Sequence, residues 1–143
     1  MFARILAAGI AGAVAMFLLG WVVWGMLLHS YFDSTMTATA KSVMNAEPDL
    51  VPLALSQIVF GLLFAYIFDK WASISTFVGG AMAGATLMFG LSLAWDLEMT
   101  AFFKDMHVGS PYVPMIVDVL AAGVVGAITG GVIGQVIGMM KRE

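Results

Sequence analysis

Four long stretches of this chain hold almost no polar residue, and short clusters of charge, proline and glycine separate them. They run over 5–28, 50–68, 74–95 and 113–140. Each approaches or exceeds the roughly 20 apolar residues that a helix needs to cross a bilayer. The pattern predicts an all-α membrane protein: one domain over 1–143 with four transmembrane helices in an antiparallel bundle.

The first stretch changes character along its length. Ala7, Ala8, Gly9, Ala11, Gly12 and Ala13 are small and suit close helix contact, whereas Trp21, Trp24, His29, Tyr31 and Phe32 resemble an interfacial aromatic belt. Arg4 and the Ala13-Val14-Ala15 triplet imitate a secretion signal, but the apolar run continues to Leu28. That is longer than the 7–15 residues of a signal core, so the expectation is an uncleaved first span. From Asp33 to Asp49, Met36, Ala40, Val43 and Met44 fall at helical spacing, which predicts a short interfacial amphipathic helix after the first span.

Asn45 to Asp49 reads as a turn into the second span, which carries Ser56 and Gln57 among apolar neighbours. Asp69-Lys70-Trp71 closes that span so tightly that spans two and three are expected to be adjacent, antiparallel neighbours. Span three is expected to end at Trp95, with Asp96 and Glu98 as its polar end and Met99 to Tyr112 as an interfacial connection. Pro111 and Pro114 open span four.

Span four holds one acid, Asp118, and a ladder of glycines. On a helix at about 100° per residue, Asp118 shares a face with Val125, Thr129 and Val136, and the glycines centre about 140° away. A carboxyl in hydrocarbon costs about 2.5–3.5 kcal/mol on insertion scales and normally faces protein or water. Gly126, Gly130, Gly134 and Gly138, with Gly80 and Gly84 of span three, form G-x-x-x-G units that permit close backbone packing. Span four should therefore be central in the bundle.

Composition agrees with a membrane protein: 62% of the 143 residues are hydrophobic and 10% charged, with mean hydropathy +1.00. Soluble domains carry about 25% charged residues. With Cys 0 there is no disulfide, thiolate-bound zinc or iron–sulfur cluster, and no basic patch suggests nucleic acid. Arg4, Lys70, Lys141 and Arg142 fall on the side of the termini, against Lys41 and Lys104 on the other. The positive-inside rule then places both termini in the cytoplasm of a multi-pass membrane protein.

The other side gathers the candidate chemistry. Counting from the helix ends, Asp118 and Gln57 lie about 9–10 Å deep and Ser92 about 5 Å deep. With His29, Asp33 and Asp96 they form a candidate intramembrane polar site. Its functional version is a cation or proton site around Asp118; its structural version is a hydrogen-bonded aspartate that fixes helix register, with capping or solvated acids around it. Haem ligation by His29 and His107 is disfavoured, since they do not face each other from deep in a bundle. No metal or cofactor is expected, and no G-x-S-x-G, H-E-x-x-H or P-loop pattern supports an enzyme.

The run from Phe17 to Leu28, with Gly20-Trp21 followed by the aromatic-glycine pair Trp24-Gly25, resembles the end of the first span in small four-span bacterial proteins grouped as domain of unknown function 1761. That resemblance implies a four-helix membrane fold and no assigned activity. The expected role is a non-enzymatic membrane protein, self-associating or an accessory subunit of a larger membrane complex, packing through its glycine faces in the lipid bilayer. The alternative is a small ion- or proton-coupled transporter or channel that uses Asp118.

Overall fold

In a computed structural model the chain is described from residue 2 to residue 141, so Arg142, counted above for orientation, lies outside the described residues. The described residues form helices and loops, joined by one isolated β-bridge. Helix α1 spans Phe2–Gly20 and continues as a π-helical turn over Trp21–Leu27. Two short helices follow, α2 (His29–Thr35) and α3 (Ala38–Ser42). Helix α4 covers Leu50–Tyr66 and ends in a second π-helical turn, Ile67–Trp71. The long helices α5 (Phe77–Phe102) and α6 (Tyr112–Lys141) complete the chain.

Four of these units, Phe2–Leu27, Leu50–Trp71, Phe77–Phe102 and Tyr112–Lys141, are long and apolar enough to cross a membrane, and the chain reads as a multi-pass membrane protein. The helix starts follow local chemistry. Asp49 accepts from the Val51 N–H at 3.0 Å, and Thr76 accepts from the Gly79 N–H at 3.1 Å, each satisfying a donor that the first turn leaves free.

Packing order is set by small residues. Helix α6 lies in the middle, between α5 and α1, and α4 packs chiefly along α1 while also touching α6. Gly61 of α4 sits on the Gly9 carbonyl and Ala13 of α1, while Gly12 receives the Ile133 side chain of α6. Phe64, Phe68, Val125, Ile133 and Ile137 fill the core with Ala8 and Met16.

Spans two and three are joined by a short connection but do not pack along each other. An apolar groove separates them, floored by Phe68 and Gly79 and flanked by Met82 and Leu87. The expected adjacency of these spans fails because α5 has a better partner. Its glycines let it approach α6 at backbone distance, and α4 offers no matching glycine row. The connection turns through Ser73, held in the left-handed region at φ 52.

The α5–α6 contact follows rows of every fourth residue. On α5 the row is Gly80, Gly84, Met88, Ser92, Asp96; on α6 it is Asp118, Ala122, Gly126, Gly130, Gly134, Gly138. A methyl group built on Gly80 would overlap the Gly130 carbonyl, one on Gly84 the Gly126 carbonyl, and one on Gly138 the Ser75 carbonyl. Such i±4 rows are the ridges along which crossing helices interlock. The separation of about 140° expected between Asp118 and the glycines describes a straight wheel. A ridge instead drifts about 40° per four residues, so one crossing helix meets both its glycines and its aspartate.

Two boundaries differ from expectation. Helix α5 runs seven residues past Trp95, so Asp96 is a helical residue inside the span-length element. The single amphipathic helix expected over 34–44 is two short ones, broken where Met36 and Thr37 turn extended. The break has a cause. Met36 bridges His107, the Thr37 N–H donates to the Met106 carbonyl at 3.2 Å, and the Val108 N–H donates to the Thr35 carbonyl at 2.7 Å. Strand-like pairing with the α5–α6 connection competes successfully with a helix of marginal length.

Candidate functional site

The π-helical turn after α1 decides where its two tryptophans go. The Leu28 N–H bonds to the Val23 carbonyl, five residues back, at 2.8 Å, so side chains beyond Gly20 rotate relative to a continued α-helix. Trp21 is exposed, whereas Trp24 is turned inward and half-buried. Its Nε1–H donates to Asp118 Oδ1 at 2.6 Å. From the other side, Ser92 Oγ–H donates to Asp118 Oδ2 at 3.1 Å. Asp118 therefore ties three spans together and has a donor on each oxygen.

One turn beyond Ser92 on the same row of α5, Asp96 lines the same cavity as Asp118. Asp96 Oδ2 is buried and receives no donor. Two ionised carboxylates have only acceptors, so a hydrogen bond between them requires a proton. Both ionised, they would repel strongly in a medium of low dielectric. The pair is relieved by a shared proton or by a cation placed against both groups. Asp118 is the oriented member, held by indole and hydroxyl; Asp96 is the member short of partners.

The pair borders a cavity of about 480 Å³ at the end of the bundle away from the termini. Its walls include Phe32, Trp95 and Phe103, and its roof is the α5–α6 connection with Lys104, Asp105 and His107. That roof is pinned by the pairing with residues 35–37 and by the Thr37 hydroxyl, which donates to the Asp105 carbonyl. Gly109, at φ 78, provides the left-handed turn that brings the connection back into α6.

Of the six candidate site residues, the structure brings together Asp118, Ser92 and Asp96. Gln57 instead donates to the neighbouring Ser56 Oγ at 3.1 Å. Asp33 forms an exposed ion pair with Lys41 at 3.0 Å, and His29 is exposed on α2; neither borders the cavity. The i,i+4 spacing of His29 and Asp33 is genuine, but α2 turns that face outward. Trp24, read from the sequence as an interfacial belt residue, is the partner that was missed. Only the π-turn distinguishes it from Trp21. His107, set aside with the haem reading, contributes a roof residue whose Nδ1 is buried without a partner.

Replacing Trp24 with phenylalanine keeps the ring and removes the donor. Hydrogen bonds to charged groups contribute about 1.5–3 kcal/mol. Trp24→Phe should lower stability by about that range in a reversible unfolding titration in mixed micelles, while Trp21→Phe should change it by less than about 0.5 kcal/mol.

A second polar cluster lies at the opposite end. Arg4 Nε and Nη2 donate to Asp69 Oδ1 and Oδ2 at 2.8 and 3.0 Å, a bidentate pair that clamps α1 to the end of α4. The Asp69 side chain is 1% exposed, and Lys70 Nζ approaches it at 3.8 Å. In the sequence Asp69 is one of the residues that close span two; the second π-helical turn, with Ala72 N–H bonded to the Ile67 carbonyl at 3.0 Å, carries it inward. Its chemistry is a structural clamp, saturated by its partners.

Compared with known protein families, curated proteins and solved structures, the chain matches none. Function must therefore be argued from the site.

Proposed function

We propose that this chain is a small non-enzymatic protein of the bacterial inner membrane that binds a proton or a cation at the Asp96–Asp118 pair, as a coupled transporter or channel does. The four spans form an antiparallel bundle with both termini in the cytoplasm. The short helices after the first span lie at the extracytoplasmic interface, beside the cavity. The observation that carries this assignment is a carboxyl pair, one member held by two donors and the other left without one, beside a cavity. Ionisable groups within spans are costly and characteristically mark ion or proton paths. The closing motif of the first span supports kinship with the four-span proteins of domain of unknown function 1761.

The glycine rows bear on the competing role as an accessory or self-associating subunit. Gly80, Gly84, Gly126, Gly130 and Gly134 are spent on the α5–α6 contact within one chain. What favours an assembly in the bilayer is a different feature, the apolar groove between α4 and α5. Nucleic acid has no basic surface to meet.

Flux into proteoliposomes separates the two roles. In the transport role, Asp118→Asn and Asp96→Asn each abolish proton or cation flux while insertion and oligomeric state stay as in the wild type. Wild-type flux in a correctly inserted Asp96→Asn protein overturns the site. Native mass spectrometry of gently extracted protein reports the other role: foreign subunits in fixed stoichiometry would make the chain a component of a larger complex.

A further inference from the structure

The cavity beside the carboxyl pair has a lining that narrows the class of cation. Its volume, about 480 Å³, is in the range of small-molecule sites and far exceeds what a bare inorganic ion fills. Among the described residues, no three His, Asp or Glu side chains converge as metal ligands. Three aromatic rings, Phe32, Trp95 and Phe103, share the walls with Asp96 and Asp118. Aromatic faces attract ammonium groups through their quadrupoles, and carboxylates accept charge-assisted hydrogen bonds from them. Asp96 Oδ2, buried and without a donor, marks where the acceptor capacity of the pair is unspent. Lining charge points the same way, since Asp96, Asp105 and Asp118 outnumber Lys104.

From this combination we propose that the cavity binds a small organic ammonium ion carrying an apolar substituent. The proposal rests on the assignment of the Asp96–Asp118 pair as a proton or cation site and adds its substrate class. The ammonium group would lie against Asp96 and Asp118, and the substituent against Trp95, Phe32 and Phe103. A proton held between the two carboxyls is then released to solvent as the amine binds. Proton and amine compete for one site without any covalent step.

The test uses full-length protein in nanodiscs, with 2-phenylethylammonium chloride as the probe. Sodium chloride, ethylammonium and 3-phenylpropionate serve as controls. Tryptophan fluorescence and proton release into weak buffer are both read. The expected result is saturable binding of 2-phenylethylammonium, about tenfold or more tighter than ethylammonium, with proton release and no response to 3-phenylpropionate. Asp96→Asn should weaken binding about tenfold while thermal stability and monodispersity are unchanged. Trp95→Leu, which leaves the carboxyl pair intact, should narrow the preference over ethylammonium.

Equal responses to 2-phenylethylammonium and 3-phenylpropionate, or undiminished binding by Asp96→Asn, would overturn the proposal. A pH-dependent fluorescence change that Asp96→Asn removes, without any amine binding, overturns the amine class and leaves the proton site standing. Absence of both signals overturns the site assignment itself.

Discussion

Gly130→Val is expected to be the most damaging single substitution in this chain, lowering stability by more than about 3 kcal/mol and separating α5 from α6. A methyl group at Gly130 overlaps the Gly80 carbonyl and comes within 2.8 Å of the Gly84 Cα. Both obstacles are backbone atoms of a regular helix, so no side-chain rotation relieves them. Overpacking that neighbours can absorb costs about 1–3 kcal/mol, and here they cannot absorb it. The control is Gly90→Ala, on the partner helix α5, where nothing lies within 4 Å of the added methyl. Alanine is the better helix former by about 0.5–1 kcal/mol, so that variant should be neutral or slightly stabilising. Unfolding titrations in mixed micelles distinguish the two, and equal effects would show that α5 and α6 do not meet along these rows.

Breaking the Arg4–Asp69 clamp should come next in size. Arg4→Ala leaves the Asp69 carboxylate buried with only Lys70 nearby, at 3.8 Å. Removing one partner of a buried pair costs about 3–5 kcal/mol, because the remaining charge loses its compensation. Lys70 offsets part of that, so a loss of about 3 kcal/mol is expected. The double variant Arg4→Met with Asp69→Leu removes both charges and should recover most of it. If the double variant is as unstable as Arg4→Ala, the pair acts through something other than charge compensation. The same titration checks both, and Trp24→Phe fits between them and the surface substitutions.

Both effects arise from contacts between residues far apart in the chain, and this is where the sequence reading thins. The four spans were legible because a bilayer demands about 20 apolar residues in helical form, and local composition meets that demand without reference to other elements. Centrality of the fourth span was legible from its glycines, which have no use against lipid. Asp118 stood out because a lone acid in such a run needs partners. Ser92 was legible as a polar residue about 5 Å deep, and Asp96 as a candidate partner at the outer end of span three.

The partners themselves were not legible. Trp24 and Trp21 are indistinguishable as residues three apart near a helix end, and a π-turn of seven residues decides which one reaches Asp118. Asp69 looks like a turn residue until its own π-turn and Arg4, 65 positions away, draw it inward. Gln57 sits at the right depth and faces the wrong neighbour, because α4 flanks α1 and does not pack along α5. The sequence by itself determined how many spans this protein has, which of them is central and that an acid lies within it. Which helices touch, and so which side chains complete the carboxyl site, only the tertiary structure decided. Hydrophobic length is a property of each segment alone, whereas contact between segments depends on matching ridges across two helices at once.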